Sequence, residues 1–121
     1  MIKILLIEDD ERLRQNIVEI LELYGYIVYT AVDGQEGYEK TLHLKPDLII
    51  CDLNMPIMNG PEFITKIKTS ALAQTPILLL TGTRYFDNHQ KRAIAEASGF
   101  LRKPFLINDL ILLIKKYTGN Y

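Results

Sequence analysis

Four places along this 121-residue chain carry side chains that could do chemistry together: Glu8-Asp9-Asp10, Asp52, Thr81 and Lys103. Clustered carboxylates repel one another unless a cation sits between them. A few acid oxygens completed by water suit Mg²⁺, which seldom takes an all-protein cage. A carboxylate is also a nucleophile that forms an aspartyl phosphate. Phosphoryl transfer asks mainly for positioning and for neutralisation of equatorial oxygens, and the metal, an ammonium and a hydroxyl supply both. The residue types therefore point to Mg²⁺-assisted acceptance of a phosphoryl group, provided the fold gathers them. Singly, each has a plainer reading. Glu8-Asp9-Asp10 suits a helix N-terminus, where acids favour the dipole. Asp52 suits a turn, Lys103 a solvated surface and Thr81 a strand end.

The elements that must do the gathering are legible. Ile2–Ile7 is a nearly continuous apolar run, the mark of a strand buried on both faces. Asp9 or Asp10 caps the next helix, whose Leu13, Ile17, Ile20, Leu21 and Tyr24 share one face before Gly25 ends it. Tyr26–Ala31 reads as the second strand. Asp33-Gly34 turns into a helix from about Gln35 to Leu44, with Tyr38, Thr41 and Leu42 inward, and Pro46 stops it. Gly37 inside that helix costs roughly 1 kcal/mol against Ala. Asp47–Asp52 is the third strand, and a loop over Leu53–Gly60 leads to Pro61 at the start of a helix ending near Ser70. Pro76–Thr81, a helix within Asn88–Ala97, the short strand Gly99–Arg102 and a helix over Ile107–Tyr117 complete the alternation. Leu110, Ile111, Ile114 and Tyr117 stripe the last helix, and Leu106 is a poor N-cap for it.

Strict alternation predicts one α/β domain over residues 1–121: a five-stranded parallel sheet with helices on both faces. The expected strand order is the flavodoxin-like 2-1-3-4-5. In such sheets ligands sit beyond the carboxyl ends of the strands, near the reversal in strand order. Glu8-Asp9-Asp10, Asp52, Thr81 and Lys103 all fall at strand ends, so this order draws them around one crevice.

With the motifs in that order the chain resembles two-component receiver domains. Ile4-Leu5-Leu6-Ile7-Glu8-Asp9-Asp10 is similar to their first strand and acidic pair. Asp52-Leu53-Asn54-Met55-Pro56-Ile57-Met58-Asn59-Gly60 is similar to their D-x-x-M-P-x-M-x-G loop. Thr81-Gly82 and Gly99-Phe100-Leu101-Arg102-Lys103-Pro104-Phe105 match the motifs of strands four and five. The likeness runs from about Ile2 to Tyr117.

The resemblance implies specific roles. Asp52 takes phosphoryl from a histidine kinase or histidine phosphotransfer protein. Asp9, Asp52 and the Asn54 backbone carbonyl bind Mg²⁺, with Glu8 acting through a metal-bound water. Lys103 pairs with Asp52 and then with phosphoryl, Thr81 moves to bond it, and Phe100 packs inward as Thr81 moves. The Lys103–Pro104 bond is expected to be cis. The implied output is a changed surface over helix four, strand five and helix five, read by an effector protein or output domain, with a phosphorylation-dependent homodimer allowed. Two positions depart from the commonest pattern: Glu8 stands where many members have Asp, and Phe100 where Tyr is common. Asn54 and Thr83 occupy the variable positions that tune dephosphorylation in this family, and neither is acidic. The alternatives are a docking-only receiver and a Mg²⁺-dependent aspartyl-phosphate phosphatase. The phosphatase usually needs a second Asp where Asn54 stands, so a phosphoacceptor rather than a turnover enzyme is expected.

Composition narrows the class. The chain is 48% apolar with a net charge of -1, which suits a packed globule. Residues 1–62 hold twelve acids and five bases, and residues 63–121 hold three acids and nine bases. The acids belong to an early site with late countercharges, and the basic density is too low for direct nucleic-acid binding. No apolar run approaches the ~20 residues that span a bilayer, and no signal peptide is recognisable, so a cytoplasmic location is expected. Cys51 is the sole cysteine and belongs to the core, one residue out of phase with Asp52. His43 and His89 lack ligand partners and read as surface, as do Lys91, Arg92, Arg102, Lys115 and Lys116. Met55 and Met58 pack.

Overall fold

The apolar runs form the strands of a single parallel sheet. The computed structural model describes residues 1–119, so the last two positions of the expected domain lie outside the described residues. The elements are β1 (Lys3–Ile7), α1 (Glu11–Leu23), β2 (Ile27–Ala31), α2 (Gly34–Leu44) and β3 (Leu48–Asp52). They continue as α3 (Gly60–Lys68), β4 (Ile77–Thr81), α4 (Asn88–Glu96), β5 (Gly99–Arg102) and α5 (Ile107–Thr118). The sheet order is β2-β1-β3-β4-β5 with every pairing parallel, as the alternation predicts. Register places Ile7 beside Cys51, Asp52 beside Leu80 and Thr81 beside Arg102.

Strand alternation splits the core in two. Leu5, Ile7, Ile49, Cys51, Ile77 and Leu79 face α2, α3 and α4, where Phe63, Ile64, Ile67 and Ala93 cover them. Ile4, Leu6, Leu48, Ile50, Leu78 and Leu80 face α1 and α5, covered by Ile17, Leu21, Leu110, Ile111 and Ile114. All five residues of β3 are buried, which explains its unbroken apolar run. Among the described residues no helix is long and apolar enough to cross a membrane.

Caps follow side-chain chemistry. Asp10, not Asp9, caps α1 by accepting from the Leu13 N–H at 3.1 Å. Asp33, Asn59 and Asp87 cap α2, α3 and α4 in the same way. Leu106 makes no side-chain cap for α5. Two helix-face assignments fail. Tyr24 is 49% exposed because α1 has ended and Gly25, at φ 91, turns the chain away. Leu42 is 40% exposed because α2 meets the sheet along Gly37 and Thr41, one turn apart, leaving Leu42 about 100° round the axis. At the other end of the next helix, α3 stops at Lys68, two residues short of Ser70, whose hydroxyl turns back to donate to the Ile67 carbonyl at 2.7 Å.

Gly37 has a packing reason. A Cβ there would stand 2.9 Å from Cγ1 of Ile7 and closer still to Cδ1, so glycine lets α2 lie against β1. The same close approach recurs at Gly60, where a Cβ would meet the backbone of Leu53 at 2.8 to 2.9 Å. That contact and the Gly60 N–H donation to the Leu53 carbonyl at 2.9 Å clamp the loop that follows Asp52.

Candidate functional site

The carboxyl ends of β1, β3, β4 and β5 converge beside the reversal in strand order between β1 and β3. Glu8 follows β1 directly. Its N–H donates to the Ala31 carbonyl at 3.0 Å, and its own carbonyl accepts from the Arg14 guanidinium at 2.9 Å. This anchoring turns the carboxylate inward, where it is fully buried. Asp52 ends β3 at 7% exposure, and Asp9 is exposed at the mouth.

Lys103 arrives from the far edge. Its N–H donates to the Thr81 carbonyl at 2.6 Å, and a cis bond to Pro104 follows it. The ammonium then donates to Oε1 of Glu8 at 2.8 Å and to Oδ2 of Asp52 at 3.0 Å. One ammonium thus serves two buried carboxyl groups. Oε2 of Glu8 accepts from the Asp10 N–H at 3.2 Å, and Oδ1 of Asp52 accepts from the Asn54 N–H at 3.1 Å.

The Glu8 carboxyl is raised to about 7: burial pushes it up, the Lys103 hydrogen bond draws it part of the way back, and the Asp52 charge adds to the rise. Burial lowers Lys103, but its bonds to Glu8 and Asp52 outweigh that and leave it raised. A carboxyl that holds its proton more tightly folded than unfolded costs stability as the proton leaves. Divalent-free protein is therefore expected to lose stability as pH climbs from about 4.5 through about 7. Glu8→Gln should flatten that slope in urea titrations. An unchanged slope in the variant would assign the dependence to other groups.

Ligand oxygens of Glu8, Asp9 and Asp52 all lie within 4.8 Å of one another. The donors are hard oxygens alone, two of them from buried groups, which fits Mg²⁺ with water completing its shell.

Thr81 is fully buried, and its Oγ1 accepts from the Thr83 N–H at 3.0 Å. Phe100 is half-buried on β5. Phe86 lies edge-on to it, with ring centroids 6.0 Å apart, and the Arg102 guanidinium sits 5.8 Å from the Phe86 ring centre. The side chain of Asn54 points across the loops. Its Nδ2 donates to Oγ1 of Thr83 at 3.0 Å, and its Oδ1 accepts from Nε2 of Gln90 at 3.3 Å. The structure thus brings Glu8, Asp9, Asp52, Thr81 and Lys103 to one cleft, with Asn54 at its rim and Phe100 one strand away.

Sequence reasoning missed Phe86 and Gln90. Neither belongs to a motif quoted from the chain, although Asp87 with Gln90 three residues later is a capping-box spacing that could have drawn attention to α4. His43 and His89 are exposed, Met55 and Met58 are buried, and Cys51 is fully buried with its thiol pushed well up by burial.

Comparison with known proteins agrees with this architecture. Residues 4–115 match the family model described as response regulator receiver domain. The transcriptional regulatory protein CrdR of Helicobacter pylori is 34% identical over 98% of this chain, which spans 55% of CrdR. PdtaR of Mycobacterium tuberculosis is 38% identical over 98% of this chain, which spans 58% of PdtaR. The chain therefore spans little more than half the length of these relatives. Among solved structures, the chemotaxis protein CheY4 of Vibrio cholerae superposes with a TM-score of 0.86 at 35% identity, covering 97% of this chain and 98% of CheY4.

Proposed function

Since this chain belongs to the response regulator receiver domain family of two-component signalling, we propose that its own phosphoacceptor is Asp52, served by Lys103, Thr81 and a Mg²⁺ held by Glu8, Asp9, Asp52 and the Asn54 carbonyl. The single observation that carries the reading is the ammonium of Lys103 bonded at once to Glu8 and Asp52 at the reversal of the sheet. That arrangement holds a nucleophilic carboxylate buried and next to a cation that can transfer its bonds to an incoming anion.

The chemistry follows from the groups present. An Asp52 oxygen forms the bond to phosphorus while the donor's bond to phosphorus breaks, its electron pair leaving with the donor. Bound Mg²⁺ supplies neutralisation of phosphoryl oxygens. The Lys103 ammonium exchanges Oδ2 of Asp52 for a phosphoryl oxygen. The Thr81 hydroxyl turns from the Thr83 N–H to donate to another, and Phe100 follows into the space it vacates. A histidine kinase or histidine phosphotransfer protein is the donor. An effector protein or output domain reads α4, β5 and α5, where phosphorylation-dependent pairing of two copies would also form. The protein assists its own phosphorylation and dephosphorylation without turning over an external substrate.

Intact mass after incubation with acetyl phosphate tests the assignment. A gain of one phosphoryl group (~80 Da) is expected only with Mg²⁺ present, and Asp52→Asn should abolish it. Labelling that persists in Asp52→Asn would move the acceptor elsewhere.

A further inference from the structure

We propose that Gln90 is a positioning residue for the phosphoryl chemistry at Asp52: by fixing the orientation of the Asn54 amide, it slows the removal of phosphoryl by water. This rests on Asp52 being the phosphoacceptor and concerns how long that state lasts.

Orientation is dictated from α4. The Asp87 backbone N–H donates to Oε1 of Gln90 at 3.0 Å, and a backbone N–H can only donate. The Gln90 amide therefore presents its nitrogen at the other end, where Nε2 donates to Oδ1 of Asn54 at 3.3 Å. That in turn leaves Nδ2 of Asn54 to face Oγ1 of Thr83 at 3.0 Å. Each amide has one possible orientation, set by the helix cap. Asn54 is also tied to the nucleophile, since its own N–H donates to Oδ1 of Asp52 at 3.1 Å. The side chain thus links the loop after β3 to the loop after β4, and the two loops flank Asp52. Its carbonyl, the group able to take a proton contact from a water, is held against α4. On the outer side Asn54 and Gln90 line a groove of about 550 Å³, so no packed side chain there would hold the amide in place of the hydrogen bond.

Hydrolysis joins a water oxygen to phosphorus and breaks the bond from phosphorus to the Asp52 oxygen. The electron pair returns to the Asp52 carboxylate, and the water's proton passes to solvent or to the departing phosphate. An acceptor aimed at the water accelerates the step, and one held away does not.

Q90E separates orientation from structure. Its carboxylate still accepts from the Asp87 N–H, because Glu serves a capping box as well as Gln, but it has no donor for Asn54. The Asn54 amide must then present its NH₂ to α4 and turn its carbonyl toward Thr83 and the cleft. After labelling with acetyl phosphate and Mg²⁺ and removal of the donor, phosphoryl loss followed by intact mass should be about fivefold faster in Q90E, the ratio one ordinary hydrogen bond is worth. The thermal midpoint should be unchanged. In an N54A background Q90E should have no further effect. Wild-type decay in Q90E overturns the inference. So does acceleration that survives in N54A, which would mark added charge rather than orientation. Failure of the wild type to label at all overturns the phosphoacceptor reading and this inference with it, and that result is distinct from the other two.

Discussion

Lys103→Met is expected to lower stability by about 3 kcal/mol near pH 9 in divalent-free buffer, where Glu8 has lost its proton. The reason is local. Glu8 is fully buried and Asp52 nearly so, and both accept from the same ammonium. Removing it leaves two buried carboxylates facing each other without a counter-ion, the case in which breaking a pair costs several kcal/mol. The figure is taken at the low end because the Lys103 side chain is 23% exposed and part of its field is screened by water. Two additions should restore part of the loss. Acid should do so because Glu8 then holds a proton, and millimolar Mg²⁺ because a cation re-enters the carboxylate cluster. Urea unfolding across pH, with and without Mg²⁺, measures all three effects. A variant as stable as the parent in divalent-free buffer at that alkaline pH would mean that water, not Lys103, balances these charges.

The second large effect is expected at Gly60. Gly60→Ala places a methyl 2.8 Å from the carbonyl oxygen of Leu53 and 2.9 Å from its Cα. These are backbone atoms that no rotamer change can move aside. Overpacking of this kind costs about 2 kcal/mol. The strain falls on the residue next to the nucleophile, so phosphoryl acceptance from acetyl phosphate should slow by about tenfold. Comparing the urea midpoint with the labelling rate under strongly folding conditions separates the two. Loss of stability with wild-type labelling would mean that α3 yields and the loop does not.

Much of the fold and of the cleft is legible in the sequence. The strands are legible because a sheet covered on both faces demands unbroken apolar runs, and Leu48–Asp52 buries every residue. The cleft is legible because a parallel sheet fixes where strand ends meet, so Asp52, Thr81 and Lys103 needed only the strand order. What escaped depends on contacts far apart in the chain. The direct bond between Lys103 and Glu8 joins residues 95 apart, and the reading from motifs had Lys103 meet Asp52 with Glu8 reserved for a water. Gln90 escaped because its role lies in which end of an amide faces a neighbour 36 residues away. Tyr24 and Leu42 were misplaced because helical periodicity names a stripe without saying where the helix ends or which edge of the stripe meets the sheet.

The buried thiol of Cys51 offers a clock. It is the chain's sole cysteine, fully enclosed against α2, α3 and α4, and its thiolate is suppressed by burial. Alkylating reagents can reach it only when the sheet comes apart, so the rate of adduct formation counts opening events in the native population. Ligands that favour the closed sheet would slow that count in proportion to their binding. Fluorescent or spin probes attached through cysteines introduced on α4 or α5 would need no cysteine-free background.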